Sequence, residues 1–358
     1  MTDIDNVVYG PRRPYSAPLV ANWDVTAACN AACVMCYSRS GRRNPGELTT
    51  DECIAAARQF VAMGVLHVAI VGGEPFLRPD LVPVLAELLR GRVSVSISTN
   101  GLHVPDDQLR ALATMNLSRL CVSLHAADKV THNSIMREDA FDSAVNLLQR
   151  ARAMGVRTGI TTCLMSINYA QVKSIIKLAE ELGCTFHSTS LYVATGRGPI
   201  DLDLSVDKYR EFFEFWRDER RRLAGRVELA THHETLYCLV DPDYGKNPFV
   251  IGCTAGWSTM RLTETGDVTP CNLMPLVAGN IRTQSMAEIW RSSPVMLGLR
   301  DRERLKGRCG RCEYRHVCGG CRSTALAYSG DVLAEDPRCW YSPTACQPDN
   351  KTPLEERL

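Results

Sequence analysis

Short apolar runs alternate with longer amphipathic segments along the first two thirds of the chain. Six runs rich in apolar or β-branched residues predict strands at 19–26, 67–71, 93–98, 119–124, 158–164 and 186–193. Segments of helical periodicity lie between them, at about 50–63, 80–90, 106–115, 139–154 and 170–182. Since each strand is followed by a helix, the pattern predicts a parallel sheet built from right-handed crossovers.

Helix boundary residues agree with this pattern. Thr49 and Glu52 have the spacing of a capping box at the start of the first helix, and Gly64, Gly155 and Gly183 lie where helices should end. Six strand–helix units predict an α/β fold, a partial (β/α)6 barrel of the TIM type. In such a barrel the active site forms at the C-terminal ends of the strands.

The last third of the chain has a different character. A charged segment at 205–225 predicts the last barrel helix or a bridge, but beyond it helical periodicity is weak apart from 285–299, and cysteines are dense. Because such a segment buries little apolar surface, we expect a metal or cluster to organise it. The predicted domains are a lead-in at 1–18, the barrel at 19–225, a bridge at 226–252, a cysteine-rich domain at 253–346 and a tail at 347–358.

Composition narrows the possible partners and the compartment. The 358 residues are 45% hydrophobic, and 41 basic residues nearly balance 40 acidic ones, so no global charge favours nucleic acid or a membrane surface. No apolar run approaches the roughly 20 residues that span a bilayer, and the polar, proline-rich N-terminus is unlike a signal peptide. We therefore expect a cytoplasmic protein whose 16 cysteines serve metal or cluster ligation rather than disulfides.

A cysteine triplet directly follows the first predicted strand. Cys29, Cys33 and Cys36 have the spacing C-x3-C-x2-C. Three thiolates can hold a cubane iron–sulfur cluster while leaving one iron free to bind a substrate or cofactor. A buried cysteine cluster or part of a zinc site is the alternative interpretation.

The triplet and the aromatic residue after it, Tyr37, resemble the signature of the radical S-adenosylmethionine (radical SAM) superfamily. The resemblance implies that a [4Fe–4S] cluster on Cys29, Cys33 and Cys36 binds the amino and carboxylate groups of SAM. It also implies that one electron, from a donor such as flavodoxin or ferredoxin, cleaves SAM to a 5'-deoxyadenosyl radical.

Further segments support this resemblance. Gly72-Gly73-Glu74-Pro75 follows the second predicted strand and resembles the segment that receives the SAM amino group, although an ordinary glycine-rich turn has the same composition. Ser98-Thr99-Asn100-Gly101 ends the third strand and resembles the element near the ribose and methionine portion. The resemblance assigns further SAM contacts to Tyr37, Ser98, Asn100, Ser123, Arg137 and Arg197.

Two of these positions need comment. Arg137 suits a carboxylate through its bidentate fork, but an exposed arginine before a helix is usually only solvated. His125 occupies a position where many relatives carry Asp, so contacts inferred from that Asp do not transfer to this chain.

A second cysteine set lies in the last third of the chain. Its spacing is Cys253-x12-Gly266-x4-Cys271, Cys309-x2-Cys312-x5-Cys318-x2-Cys321 and then Cys339. This set resembles the seven-cysteine SPASM extension, which holds one or two auxiliary [4Fe–4S] clusters, and C-x2-C pairs also suit structural zinc. The resemblance implies an outer cluster on Cys309, Cys312, Cys318 and Cys339, and an inner cluster on Cys253, Cys271 and Cys321.

The inner set departs from the usual pattern. Cys318 and Cys321 enclose two residues where three are common, and no extra cysteine lies between 244 and 252. We expect the inner cluster to keep an open iron or to recruit Cys238 or Cys346. Basic residues are interleaved with the ligands and are expected to compensate the anionic clusters: Arg308, Arg311, Arg315, His316 and Arg322. An RNA-binding patch is the alternative, but the stretch lacks interleaved aromatic residues.

The remaining candidates are weaker. Cys53, Cys121, Cys163 and Cys184 are expected to be small core residues. His232, His233 and Glu234 are candidate proton acceptors, although histidines on a loop are usually solvated. Cys238 is expected to be a core residue, a cluster ligand or a hydrogen-atom donor to a substrate radical.

The prediction is a radical SAM/SPASM enzyme that abstracts hydrogen from an unactivated C–H bond. The block from Lys306 to Tyr341 resembles relatives in alternative haem synthesis, mycofactocin maturation and peptide or antibiotic tailoring. We expect oxidative or epimerising tailoring of a peptide or secondary metabolite, with oxidative decarboxylation of tetrapyrrole propionates or a non-catalytic zinc or cluster-binding protein as alternatives. With 28 residues before Cys29, no fused leader-peptide recognition domain is expected.

Overall fold

Parallel strand pairing dominates the architecture. The computed structural model describes residues 13–231, 234–247 and 249–343. Its sheet has ten strands in the order β10-β9-β8-β1-β2-β3-β4-β5-β6-β7. The strands are β1 Val20–Asp24, β2 His67–Val71, β3 Ser94–Thr99, β4 Arg119–Ser123, β5 Thr158–Leu164, β6 Phe186–Leu191, β7 Glu228–Thr231, β8 Thr259–Leu262, β9 Asp267–Thr269 and β10 Gly279–Asn280.

Helices connect the parallel strands and then cover the C-terminal part. They are α1 Thr50–Met63, α2 Leu81–Arg90, α3 Asp106–Thr114, α4 Lys129–Met136, α5 Phe141–Ala153, α6 Val172–Glu181, α7 Val206–Leu223, α8 Pro242–Lys246, α9 Met286–Ser292, α10 Pro294–Arg300, α11 Gly307–Arg311 and α12 Arg322–Ser329. No helix in the described part of the chain is both long and apolar enough to cross a bilayer.

The six predicted strands and five predicted connecting helices are confirmed. The capping box is also present, because the Thr49 hydroxyl accepts from the Glu52 N–H at 3.3 Å while the Glu52 carboxylate accepts from the Thr49 N–H at 2.8 Å. The periodic segment at 285–299 forms two helices rather than one, since Pro294 begins α10 and has no N–H with which to continue α9. Within the barrel region α4 and β7 have no counterpart in the sequence prediction, and in the C-terminal part the same is true of α8, β8, β9, β10, α11 and α12.

The two faces of the sheet differ sharply in burial. One face carries large apolar side chains that are completely buried beneath the helices, among them Trp23, Ile70, Ile97, Val122 and Ile160. The opposite face carries small and polar side chains, several of them half-buried. Strand register places on it Asn22, Ala69, Ser96, Ser98, Cys121, Ser123, Thr161, Cys163, Ser188 and Ser190.

This second face, hereafter the polar face, sets the barrel apart from a closed one. A closed TIM barrel fills its interior with layers of bulky branched side chains. Here the strand order ends at β7 on one side and β10 on the other, so the described strands form a partial barrel. The inner surface therefore lacks the layers of bulky branched side chains that fill a closed barrel.

The cysteine-rich segment is joined to the barrel through the sheet itself. Strand β8 pairs in parallel with β1, with Val20 opposite Thr259 and Trp23 opposite Leu262. Across this joint the Arg261 guanidinium donates to the Asp24 carboxylate, with Nε at 2.9 Å. Both side chains are at least nine-tenths buried. The sheet therefore runs across the predicted domain boundaries.

Candidate active site and cluster-binding groups

The loop after β1 carries the cysteine triplet at the C-terminal edge of the sheet. The Cys29 N–H donates to the Gly41 carbonyl at 2.8 Å. The Val34 N–H donates to the Ile135 carbonyl at 3.0 Å, so the end of α4 supports the middle of the loop. All three thiols are half-buried.

The three thiols lie close enough to influence one another. Burial, together with the neighbouring Cys29 and Cys36, raises the pKa of Cys33 to about 12. Burial also raises the pKa of Cys29, with Glu74 and Cys36 adding to the effect. The Cys29 and Cys33 thiols are therefore neutral in the free chain and would lose their protons on binding a cluster.

The Gly-Gly-Glu segment after β2 packs directly against the cysteine loop. The Gly73 N–H donates to the Thr26 carbonyl at 2.7 Å, and the Glu74 N–H donates to the Ala28 carbonyl at 2.7 Å. A Cβ on Gly73 would lie 2.1 Å from the Ala28 oxygen. These glycines therefore allow the segment to pack closely against the cysteine loop.

Glu74 connects that segment to the next strand. Its fully buried carboxylate accepts from the Asn100 N–H at 2.8 Å, the Thr99 hydroxyl at 2.9 Å and the Phe76 N–H at 3.1 Å. Burial raises the pKa of Glu74 to about 7, while these three donors act in the opposite direction. Both oxygens of the carboxylate therefore accept hydrogen bonds from within the protein. Pro75 is also buried and begins a short 3-10 helix.

Asn100 reaches back to the cysteine loop. Its amide nitrogen lies 2.7 Å from the Asn30 side-chain oxygen and 3.8 Å from the Cys29 sulfur. A hydrogen bond to a ligating sulfur tunes a cluster. Asn100 therefore contacts the sulfur of Cys29, which we assign as a cluster ligand.

The turn after β6 clamps the other side of the cysteine loop. The Arg197 side chain donates to the Cys33 carbonyl at 3.3 Å and to the Ser40 carbonyl at 2.5 Å, and its N–H donates to the Cys36 carbonyl at 2.9 Å. Gly196 has φ +63°, and a Cβ at this position would lie 2.3 Å from the Tyr37 carbonyl oxygen. Glycine therefore permits the close contact between this turn and the cysteine loop. Arg197 thus positions the loop.

Tyr37 belongs to a buried polar group beneath the loop. Its hydroxyl donates to the Asp24 carboxylate at 2.9 Å, and the Arg261 guanidinium lies 5.1 Å from its ring centroid. Burial, and next the Asp24 charge, hold the pKa of Tyr37 well above its ordinary value. This contact ties the cysteine loop to β8.

The remaining predicted SAM contacts lie at the same edge of the sheet. Ser98 and Ser123 are half-buried on the polar face. Arg137 is exposed at the end of α4, next to the residues that bond the cysteine loop, and has φ +56°. Left-handed backbone at a non-glycine residue is uncommon and is found at functional sites.

His125, which the resemblance places at an Asp position, has a structural role in this protein. Its Nδ1 accepts from the Cys163 N–H at 3.2 Å, and its own N–H donates to the His132 Nδ1 at 3.1 Å. Burial and His132 lower the pKa of His125 to about 3. The side chain is therefore neutral and does not reproduce the anion of an aspartate.

The seven C-terminal cysteines divide into two groups. In the inner group, Cys271 lies near Cys253 and Cys321, and burial followed by these neighbours raises the pKa of Cys271 to about 12. The Ser323 hydroxyl lies 3.0 Å from the Cys271 sulfur. Among the described residues the inner group has three thiols.

The outer group lines one shared cavity. Its four thiols are Cys309, Cys312, Cys318 and Cys339. Burial and the neighbouring Cys318 raise the pKa of Cys339 to about 12. Both groups have the membership that the resemblance implied.

Among the described residues no three His, Cys, Asp or Glu side chains converge on one metal-ion position.

Cys238 lies beside the outer group rather than the inner one. It is buried among apolar residues that include Tyr237 and Val317. Its hydrogen bond to the Cys318 thiol, together with burial, raises the pKa of Cys318 well above its ordinary value. Cys346, the other suggested recruit, lies outside the described residues.

Of the three predicted proton acceptors, the structure describes Glu234 alone. Glu234 accepts a hydrogen bond from the Tyr244 hydroxyl, and burial raises the pKa of its carboxyl. His232 and His233 lie outside the described residues.

The expected charge compensation by interleaved basic residues needs correction. Arg308 pairs with Glu335 at 3.0 Å, and Arg315 and His316 pair with Glu303 at 3.0 and 3.2 Å. Arg311 is exposed. Of this set only Arg322 contacts a thiol, with its Nη2 3.7 Å from the Cys309 sulfur. Spacing along the chain could not distinguish arginines that face carboxylates from those that face cysteines.

Known proteins match both parts of this arrangement. Residues 23–179 match the radical SAM superfamily, and residues 253–313 match the SPASM iron–sulfur cluster-binding domain. An AdoMet-dependent heme synthase of Methanosarcina barkeri is 32% identical, over 92% of this chain and 98% of that protein. The chain belongs to the radical SAM superfamily, in its SPASM-domain branch.

Other relatives widen the range of activities. The mycofactocin maturase MftC of Mycobacterium tuberculosis is 29% identical, over 91% of this chain and 84% of that protein. Among solved structures, Streptococcus suis SuiB bound to S-adenosylmethionine aligns with a TM-score of 0.75 at 21% identity, over 91% of this chain and 78% of that one. The structure titled native anSMEcpe with bound AdoMet aligns at 0.70 and 19% identity, over 89% and 93%. These structural matches show the fold.

The family assignment makes this radical SAM protein an enzyme. Its cofactors are SAM and a [4Fe–4S] cluster, with auxiliary iron–sulfur clusters in the SPASM domain. The thiol groups described above have the donor chemistry that these clusters need.

Proposed function

We propose that this radical SAM/SPASM enzyme abstracts a hydrogen atom from an unactivated C–H bond of a peptide or a similarly polar metabolite, leading to oxidation or epimerisation. The observation that carries the proposal is the polar face of the partial barrel. Its half-buried hydroxyl groups on Thr161 and Ser190 can hydrogen-bond the amide groups of a substrate.

In this proposal Cys29, Cys33 and Cys36 hold the cluster that binds SAM, and the inner and outer groups hold auxiliary clusters. When bound and reduced by a donor such as flavodoxin or ferredoxin, SAM supplies the 5'-deoxyadenosyl radical as the hydrogen-abstracting species. Arg197 and the Gly73–Glu74 segment keep the cysteine loop in place, and Asn100 donates toward the Cys29 sulfur. Ser98, Ser123 and Arg137 are proposed to contact SAM.

The first test counts iron and follows SAM cleavage. Anaerobically reconstituted protein should contain about 12 irons per chain, as three cubanes require. With dithionite it should release 5'-deoxyadenosine from SAM, measured by liquid chromatography. Cys29→Ala should abolish release while keeping the auxiliary irons, and Cys53→Ala should change neither, because Cys53 is buried in the apolar core. Release by the Cys29→Ala variant would refute the assignment.

Oxidative decarboxylation of tetrapyrrole propionates is a second candidate, favoured by the 32% identity to a heme synthase. That chemistry needs cationic anchors for propionates. The arginines of the described polar face are already engaged, since Arg261 bonds Asp24 and Arg119 lies over the Phe186 ring and pairs with Glu228. This favours the peptide or polar-metabolite proposal.

Substrate class is tested by deuterium transfer. An iron porphyrin with deuterated propionate side chains and a synthetic peptide with deuterated Cα positions are compared at equal concentration. We expect deuterium to enter 5'-deoxyadenosine, detected by mass spectrometry, with the peptide. Transfer from the porphyrin alone would establish the second candidate instead.

A further inference from the structure

Arg302 lies between the two auxiliary thiol groups. Its guanidinium donates to the carbonyls of Ile251 at 2.8 Å and Cys253 at 2.9 Å, on the inner side. It also donates to the carbonyl of Cys318 at 3.1 Å, on the outer side. One side chain thus contacts the backbone of a ligand from each group.

Two glycines, Gly319 and Gly252, allow close packing around the Arg302 side chain. A Cβ on Gly319, at φ +65°, would lie 1.4 Å from the Arg302 Nη1. Gly252, at φ +62°, lets its segment approach the Cys318 carbonyl, from which a Cβ would be 2.1 Å away. Two glycines in left-handed backbone therefore bring both cysteine segments around one guanidinium.

Arg302 is a buried cation whose hydrogen-bond acceptors are carbonyl groups, and its Cζ lies 5.2 Å from the centroid of the Trp257 ring. It is 4% exposed, and within the described ranges no carboxylate forms an ion pair with it. Arg338, which is equally buried, has Asp336 as its ion-pair partner at 3.3 Å. A buried cation without a paired anion is costly, so a nearby negative charge would stabilise Arg302.

The cysteine groups are the nearest source of that charge. Cys253, Cys318 and Cys309 interact electrostatically with Arg302. As neutral thiols they provide little compensation, but as cluster ligands they become thiolates of an anionic centre. Arg302 lies beside cysteines of both groups, so its charge would be compensated if each group held an anionic cluster.

We infer that Arg302 is a shared positioning residue for the two auxiliary clusters, raising the reduction potential of each and coupling them through its charge. Reduction adds one electron to a cluster and makes it more negative, so a nearby buried cation favours the reduced state. The inference rests on the cluster-ligand assignment in the proposed function.

The test is a redox titration of the full-length chain in a Cys29→Ala/Cys33→Ala/Cys36→Ala background, so that only auxiliary clusters contribute to the electron paramagnetic resonance signal. Arg302→Gln removes the charge but keeps hydrogen-bond donors, whereas Arg302→Lys keeps the charge. Arg304→Gln is the control, because Arg304 is exposed in the same segment and its loss changes net charge equally.

We expect Arg302→Gln to make reduction of both clusters at least about tenfold less favourable, which is about 59 mV for a one-electron couple. Arg302→Lys should remain within a third of that shift, and Arg304→Gln should match the parent. The iron content of all variants should stay at about 8 per chain.

Three results would overturn the inference. One is an Arg302→Gln shift no larger than that of Arg304→Gln, and another is a shift confined to a single cluster. The third is equal loss of iron from the Gln and Lys variants, which would show a purely structural role. A parent background without iron would instead refute the ligand assignment itself, together with the role of Arg302.

Discussion

At the scale of single residues, Glu74 shows how a motif residue can act through its neighbours. Its position in the Gly-Gly-Glu-Pro segment suggested a cofactor contact, but its carboxylate joins the ends of β2 and β3 by three internal hydrogen bonds. The segment can still present its backbone to SAM while the side chain fixes that backbone. A functional motif thus includes residues that touch no ligand.

Glu74→Gln should destabilise the protein by about 1–3 kcal/mol, because the amide group presents an NH2 to one of the three donors and leaves it unpaired. Iron at the SAM cluster should fall, while auxiliary iron is retained. The measurement is denaturant unfolding combined with iron analysis. Glu181→Gln, at the exposed end of α6, is the control and should change neither quantity.

His187 provides a residue-scale prediction about pH. It is fully buried on β6, and burial lowers its pKa to about 3. Its contribution to stability is therefore fully present above about pH 6.5 and is lost as pH falls toward 3, because only the unfolded state binds the proton in that window.

At pH 5 the loss from His187 amounts to about 2 kcal/mol. Denaturant unfolding at pH 7 and pH 5, followed by circular dichroism, should show a steeper loss for the parent than for His187→Gln, which does not titrate. Equal losses in the two proteins would contradict the predicted titration of His187.

At the scale of elements, three loops from the same edge of the sheet hold the cysteine loop. They follow β2, β3 and β6, and each reaches the cysteine loop by hydrogen bonds. Parallel strands bring their C-terminal ends together, so residues far apart in sequence can share one site. This explains why the sequence motifs follow strands.

The Gly73 contact predicts a local defect. Gly73→Ala should displace the cysteine loop, since the new Cβ would lie 2.1 Å from the Ala28 oxygen. We expect loss of about four irons and of 5'-deoxyadenosine release, with the auxiliary clusters intact. Gly41→Ala is the matched control, because Gly41 also bonds the cysteine loop but a Cβ there meets no atom within 4 Å. If Gly73→Ala keeps its full iron content, the close packing is not required.

Sequence patterns predicted the barrel elements because each strand and helix carries its own periodicity. The cysteine groups could be assigned from their spacing by resemblance. Strand β8 escaped prediction because its four residues, Thr259–Leu262, carry too few positions to show alternation. Arg302 escaped because a buried arginine and an exposed one look alike in sequence, and only the packed structure shows which carbonyls it meets.

At the scale of the whole molecule, the barrel and the cysteine-rich part form one continuous sheet. The β1–β8 pairing is reinforced by the buried Asp24–Arg261 ion pair, which also receives the Tyr37 hydroxyl. The joint lies directly below the cysteine loop. A substitution that breaks the Asp24–Arg261 ion pair is therefore expected to lower iron binding at the cysteine loop.

Arg261→Gln tests this joint. Leaving Asp24 buried without its partner should cost about 3–5 kcal/mol, and Asp24→Asn in the same chain should recover part of the loss. Thermal unfolding and iron analysis would measure both effects. The exposed pair of Arg58 and Glu87 is the comparison, since Arg58→Gln should shift the melting temperature little.

The same joint has a consequence for how the protein is made. Strand β1 leaves the ribosome early, but its neighbour β8 begins at Thr259, after β1 through β7 have all been synthesised. One edge of β1 therefore stays unpaired through most of translation, as an open template for pairing with other chains. The nascent chain can complete its sheet only after the cysteine-rich segment has been synthesised. The barrel therefore depends on that segment during folding as well as in the folded structure.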